Sequence, residues 1–300
     1  MTLQTQSKTS RFRNRFSRLI LGTALLISIL TAGTVEAQEK RILLVGDSWV
    51  AQAWAAGAFQ TALANKGLSD FGVEGGSTTI GGSTAAQWAT APYLDLITAK
   101  INAHPTIDIF HLSMGGNDFL GAPNGIDLAT LANQMISNQT TVVNHIRSLK
   151  PNAKITIGTY DYTPGGENNA GQAVLAALAI NAASSIPDCY VLNQLGALHS
   201  LLGFSGLFAA GTTPMPGNWP TYQPLQGGDP TLGGDPAAWA DSIHPTSASY
   251  VVLAEHAIDT YYRSWLIRAA AVPALNPLSA FVLLGVIGSL GYLRLKTRKG

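Results

Sequence analysis

Between residues 40 and 268 the chain alternates short apolar runs with longer stretches whose apolar residues return at helical spacing. Residues 41–45, Arg-Ile-Leu-Leu-Val, read as a buried strand, and an alanine-rich helix follows over roughly 50–65. A second strand is predicted at 71–73. The stretch 85–103 then has helical spacing, interrupted by Pro92. Residues 107–113 form a third strand. In 128–149 the apolar Leu128, Leu131, Met135, Val142, Ile146 and Leu149 recur at helical intervals. A strand over 154–160, a helix over 170–183, a last strand over 189–192 and a closing helix over 247–266 complete the series. Strands alternating with helices over short links give a parallel sheet covered on both faces, so one α/β domain is expected. No repeat of solenoid period is present.

One segment breaks this rhythm. Residues 203–240 are rich in Gly and Pro and include two Gly-Gly-Asp-Pro units. A loop of this length inside a compact domain is usually functional. Asp229 and Asp235 lack the ligand density of a calcium loop, so the units read as turns and the segment as a lid or substrate-side insertion.

The two ends do not belong to this pattern. Arg11, Arg13, Arg15 and Arg18 precede an apolar run of signal-peptide length, with small residues at Val35 and Ala37. Residues 1–37 are therefore expected to be a signal peptide cleaved after Ala37, the alternative being an uncleaved anchor. At the other end, 269–293 carries no charge and is followed by Arg294, Lys296, Arg298 and Lys299, which fits a membrane helix with a cytoplasmic tail. With "VPALNPL" ahead of it, this tail (272–300) resembles carboxy-terminal sorting signals of the PEP-CTERM and IPTL-CTERM type. That resemblance implies a Gram-negative envelope and a sorting protease as partner. The expected location is thus outside the cytoplasm, secreted or in the cell envelope, with a membrane contact through the tail unless it is cleaved.

Composition changes meaning once the ends are set aside. The whole chain has a net charge of +1, but the body between the ends keeps nine basic and sixteen acidic side chains. An acidic body without a basic stripe argues against nucleic acid as a partner. The lone Cys189 excludes an internal disulfide, and no Cys/His cluster has zinc spacing. No Gly-x-Gly-x-x-Gly or phosphate-loop signature appears, so neither cofactor nor metal is expected.

Ligands of a doubly wound sheet gather beyond the carboxyl ends of its strands. After the first strand come Gly46, Asp47, Ser48 and Trp49, and after the second a glycine-rich loop with Gly81, Gly82, Ser83 and Thr84. The third ends in Gly115, Gly116, Asn117 and Asp118. Asp241-Ser-Ile-His244 precedes the last helix. Each is bland alone, since such residues commonly fill turns and cap helices. Together they have the parts of acyl transfer. A serine hydroxyl needs an imidazole to take its proton, and the imidazole needs a carboxylate to fix its tautomer. Asp241 and His244, three apart, can meet within one turn. Loop N–H groups and an Asn amide can serve a developing oxyanion.

In order and in placement these four blocks resemble the GDSL, or SGNH, hydrolase family. The resemblance implies a single doubly wound, flavodoxin-like domain over 38–271 and an esterase acting through an acyl-enzyme. It implies Ser48 as nucleophile, His244 as general base and Asp241 as the acid that orients it. The oxyanion hole would comprise the N–H groups of Ser48 and Gly82, with Gly81 as the alternative, and the Asn117 side chain. Asp47, Gly116 and Asp118 would organise the loops. The expected partner is an ester, with an acetylated polysaccharide slightly preferred and an acyl lipid as the alternative; a catalytically silent surface-binding protein is the reading from another class. Trp49 departs from the residues common after the family's serine and is expected to shape the neighbouring pocket. His111, inside the third strand, is expected to be structural; Trp88, Trp219 and Trp239 are expected to pack in the core or loops, with lining of a sugar or acyl site as the alternative.

Overall fold

A computed structural model describes residues 38–161, 163–164, 186, 189–198 and 236–270. The expected leader, the helix over 170–183, the insertion up to 235 and the tail from 272 lie outside them.

The interior strand β1 (Glu39–Gly46) is buried without interruption from Arg41 onward. A strand covered on both faces has no polar side to display, which explains its unbroken apolar run. Successive side chains point to opposite faces. Ile42 and Leu44 pack under Trp49, Phe59, Tyr250 and Leu253, whereas Leu43 and Val45 join Trp88, Ile97, Val142 and Ile146. The one charge in the run, Arg41, is paired with Asp108, its Nε lying 2.8 Å from Oδ1.

Four further strands join β1: β2 (Phe71–Glu74), β3 (Ile109–Ser113), β4 (Lys154–Gly158) and β5 (Cys189–Leu192). All pair in parallel, in the order β2-β1-β3-β4-β5. From β1 the chain first moves outward to β2, then crosses to β3 on the other side. This reversal opens a crevice at the carboxyl ends of β1 and β3. The doubly wound α/β architecture read from the sequence is the one observed.

Several element bounds differ from the expected ones. The helix placed at 50–65 begins at Ser48 and is two helices, α1 (Ser48–Ala55) and α2 (Ala58–Asn65). Gly57 sits between them at φ 62°, a left-handed position that ends the first helix. The break near Pro92 separates α3 (Ala85–Trp88) from α4 (Ala91–Ala103), with Pro92 in the first turn, where its missing N–H costs nothing. After β3 comes the short α5 (Gly116–Leu120), then α6 (Leu128–Leu149), whose bounds agree with the periodicity. Strand β4 stops at Gly158, leaving Tyr160 beyond the sheet rather than within it. The closing helix runs from α7 (Ser247–Ala257) through a π turn (Ile258–Tyr262) into α8 (Arg263–Ala270). Among the described residues no helix is long and apolar enough to cross a membrane.

Candidate active site

Backbone hydrogen bonds gather the loops after β1, β2 and β3 around Gly46. Its N–H donates to Thr78 O (2.9 Å) and its carbonyl accepts from Ile80 N (2.8 Å), while Asp47 N donates to Ser113 O (2.9 Å). Gly46 adopts φ 146°, and a Cβ there would lie 1.7 Å from Ser113 O. Only glycine lets the two strand ends approach so closely. The next residue, Asp47, caps α1 by accepting from Trp49 N at 3.1 Å. Ser48 is thereby placed in the first turn of α1, at the mouth of the crevice.

The remote pair arrives on a short loop. Trp239 and Pro245 form an antiparallel bridge, and Ala240 N donates to His244 O at 2.8 Å. Inside that loop one Asp241 oxygen accepts from Ile243 N and His244 N, both at 2.7 Å. The other oxygen lies 2.8 Å from His244 Nδ1, and His244 Nε2 lies 2.8 Å from Ser48 Oγ. A carboxylate only accepts, so Nδ1 carries the proton and the Nε2 lone pair faces the serine hydroxyl. Burial, the largest influence on Asp241, pushes its carboxyl up, but hydrogen bonds from the His244 ring and two backbone groups outweigh it and hold the value low. Asp241 is 53% exposed at its side chain, against 16% for His244.

Trp49 lines the pocket beside Ser48, as expected, and has a second role. It is buried, with its ring edge-on to Tyr160 (5.1 Å), Trp239 (5.9 Å) and Tyr250 (6.1 Å). The residue after Ser48 therefore supports the loop that carries His244. Trp239 and Trp88 are both buried, and the Trp88 Nε1 donates to Ser83 Oγ at 2.8 Å.

On the opposite side of Ser48, the second and third blocks interlock. Asn117 Nδ2 donates to Ser83 O at 2.9 Å, which leaves its other hydrogen for a ligand. Asp118 accepts from Ala85 N at 2.7 Å and so helps cap α3, alongside the Thr84–Gln87 capping box. Gly81 lies against the serine, a Cβ on it falling 4.0 Å from Ser48 Cβ, and Gly82 supplies the left-handed turn at φ 77°. Gly116, at the start of α5, packs flat against the Tyr160 ring. The sequence-predicted residues thus converge on one crevice.

Tyr160 was missed. Its hydroxyl donates to Asp47 and accepts from Gly116 N at 2.9 Å, joining the first block to the third. A fourth strand ending at Gly158 rather than 160 would have placed Tyr160 among the polar groups that follow strand ends. Burial raises the Asp47 carboxyl to about 7, partly offset by the bonds from Tyr160 and Trp49 N. The same burial, with Asp47 beside it, raises the Tyr160 phenol well above its ordinary value.

Next to Ser48 and Asn117 opens a pocket of about 830 Å³, measured with its solvent-open mouth. Its walls come from α5, α6, β4 and β5, and Ile243 reaches it from the His244 loop. The other described histidines lie elsewhere. His111 is buried in β3 with Nδ1 2.7 Å from Tyr262 Oη, and burial lowers it to about 4. His145 Nε2 meets Thr98 Oγ1 at 2.9 Å and His256 Nε2 meets Asn193 O at 3.1 Å. Burial pushes the Cys189 thiol up to about 11, the opposite of an activated nucleophile. Among the described residues no cluster of His, Cys, Asp and Glu could hold a metal ion.

No family model matches the sequence, and no curated protein matches it. Solved structures do resemble the fold. One is an acetyl xylan esterase, AlAXEase (17% identity, TM-score 0.48, covering 74% of this chain and 99% of that one). Another is a carbohydrate esterase family 3 protein from Talaromyces cellulolyticus (13%, 0.47, 74% and 96%). A third is a GDSL-like lipase from Bacteroides thetaiotaomicron (11%, 0.46, 79% and 96%).

Proposed function

We propose that the protein is a serine ester hydrolase working through an acyl-enzyme. The observation that carries this reading is the unbroken chain from Ser48 Oγ through His244 to Asp241, with 2.8 Å at each link, at the mouth of a pocket.

In this reading His244 Nε2 takes the Ser48 proton as Oγ bonds to the carbonyl carbon of the ester. Asp241 holds the ring in the tautomer that leaves Nε2 free and stabilises the imidazolium that forms. The carbonyl oxygen, now an anion, meets the N–H groups of Ser48 and Gly82 and the second hydrogen of the Asn117 amide. His244 returns the proton to the departing alcohol as its C–O bond breaks. Water, deprotonated by the same imidazole, then releases the acid and restores Ser48. The atoms balance as ester plus water giving acid plus alcohol.

The test is hydrolysis of p-nitrophenyl esters together with labelling by an alkyl fluorophosphonate. Wild type is expected to turn over and to carry the label on Ser48. Ser48→Ala is expected to lose about 10⁴-fold or more in kcat and all labelling. Undiminished activity in Ser48→Ala, or a label on another residue, overturns the assignment. The leader-like first 37 residues and the apolar, basic-ended tail support a location outside the cytoplasm. Mass spectrometry of the native protein tests this, with termini expected at Gln38 and ahead of Leu278.

A further inference from the structure

The pocket beside Ser48 has a composition that bears on the substrate. Met114, Phe119, Leu120, Met135, Ile157 and Val191 face it. Away from Ser48 and Asn117, the described polar side chains that line it are engaged within the protein. Gln139 Nε2 donates to Met114 O at 2.9 Å, and Thr159 Oγ1 accepts from Gln194 N at 2.8 Å. The Tyr160 hydroxyl joins Asp47 to Gly116 N, and Thr163 is not free either. A sugar ring entering here would give up its water for few partners, at a cost for each buried hydroxyl left unpaired. A hydrocarbon chain needs none. Leu120, 46% exposed at the rim, carries the apolar wall out to the surface. The opening lies beside Ser48 and Asn117, where the acyl carbonyl would be held.

Resting on the ester-hydrolase reading, we infer that this pocket binds the acyl chain of the substrate and selects medium-length fatty acyl esters over acetates. The alcohol half lies outside the pocket. Met135 sets its depth from α6, packed so closely beneath Gly115 that a Cβ there would fall 2.4 Å from Met135 Cε. Each methylene buried in such a site is worth roughly fourfold in kcat/KM.

The experiment measures kcat/KM for p-nitrophenyl acetate, butyrate, hexanoate, octanoate and palmitate with the full chain. Wild type is expected to prefer hexanoate or octanoate to acetate by at least tenfold. Met135→Trp, which fills the floor, is expected to lower the hexanoate-to-acetate ratio at least tenfold. Because a larger core residue can impair folding, Leu120→Asp at the exposed rim serves as a second variant and is expected to lower the ratio severalfold through KM. Acetate as the fastest ester, or an unchanged ratio in both folded variants, overturns the acyl-site inference while Ser48-dependent hydrolysis leaves the esterase reading intact. Absence of both ester hydrolysis and phosphonate labelling in folded wild type overturns the two together.

Discussion

Two tyrosines at opposite ends of the sheet's function invite comparison. Tyr262, on the π turn, is fully buried and its hydroxyl meets His111 Nδ1 at 2.7 Å and Thr156 Oγ1 at 2.6 Å. Thr156 in turn reaches Phe110 O at 3.3 Å, so the network begins in the closing helix and ends in the middle of β3. Tyr160, beyond β4, is partly buried and its hydroxyl joins Asp47 to Gly116 N. In both networks burial shifts the titratable partner towards its neutral form: it lowers His111 to about 4 and raises Asp47 to about 7. What differs is where the partners lead. His111 sits within the packed sheet, whereas Asp47 precedes Ser48 and Gly116 precedes Asn117. A shifted buried group thus says little about function until its neighbours are traced to reacting atoms.

Four measurements break or sharpen that contrast. The largest effect belongs to the reacting chain itself. Asp241→Asn should lower kcat about 10²-fold or more by losing the tautomer control, with the melting temperature almost unmoved because the side chain is half-exposed. An equal loss of stability would place Asp241 in the structural class with Tyr262. Next, Tyr160→Phe should lower kcat about tenfold while KM stays nearly constant, because it loosens the register of the Ser48 and Asn117 loops rather than a substrate contact. A change confined to KM would assign Tyr160 to the pocket wall instead. Tyr262→Phe should cost about 1–3 kcal/mol of stability, read from denaturant unfolding, and leave kcat/KM within a factor of two. Loss of activity in the folded variant would dissolve the distinction between the networks.

The smallest expected effect is the pH dependence of stability, because the two networks oppose each other. Asp47 binds its proton more tightly folded than unfolded. Its contribution is full below about pH 4 and is lost as pH rises to about 7. His111 binds its proton more weakly folded. Its contribution is full above about 6.5 and is lost as pH falls to about 4. Thermal melts from pH 4 to 8 should therefore be shallow for wild type. Asp47→Asn should expose the His111 slope, with stability falling towards acid; a curve parallel to wild type contradicts the burial of Asp47 as the cause.

The residues proposed to react were legible because acyl transfer needs particular side chains, and Ser48, Asn117, Asp241 and His244 sit in short blocks at strand ends or, for the last two, just ahead of the closing helix. The alternation of apolar runs likewise revealed the sheet, since buried parallel strands have nowhere to put polar residues. Tyr160 was lost to a boundary: reading the fourth strand through 160 hid it inside the sheet, when β4 ends at Gly158. Met135 was seen, but only as one more apolar position of a helix. Periodicity reports which face of α6 turns inward and is silent on whether that face meets packed core or an open pocket. Adjacency to Ser48 placed Trp49 on the pocket, where it lies, but its packing partner Trp239 is 190 residues away and no local pattern links them.

The crossing at Gly46 has a consequence for change in this molecule. The serine's position is held by peptide groups of three loops and by the one residue type without a side chain, whereas the pocket is cut from side chains of α5, α6, β4 and β5. In the proposed reaction, placement of the nucleophile and choice of substrate are therefore written in separate layers. Randomising residues 119, 120, 135 and 157 can re-cut the pocket for chains of other lengths without disturbing the peptide scaffold under Ser48, which makes this site a ready subject for redirected specificity.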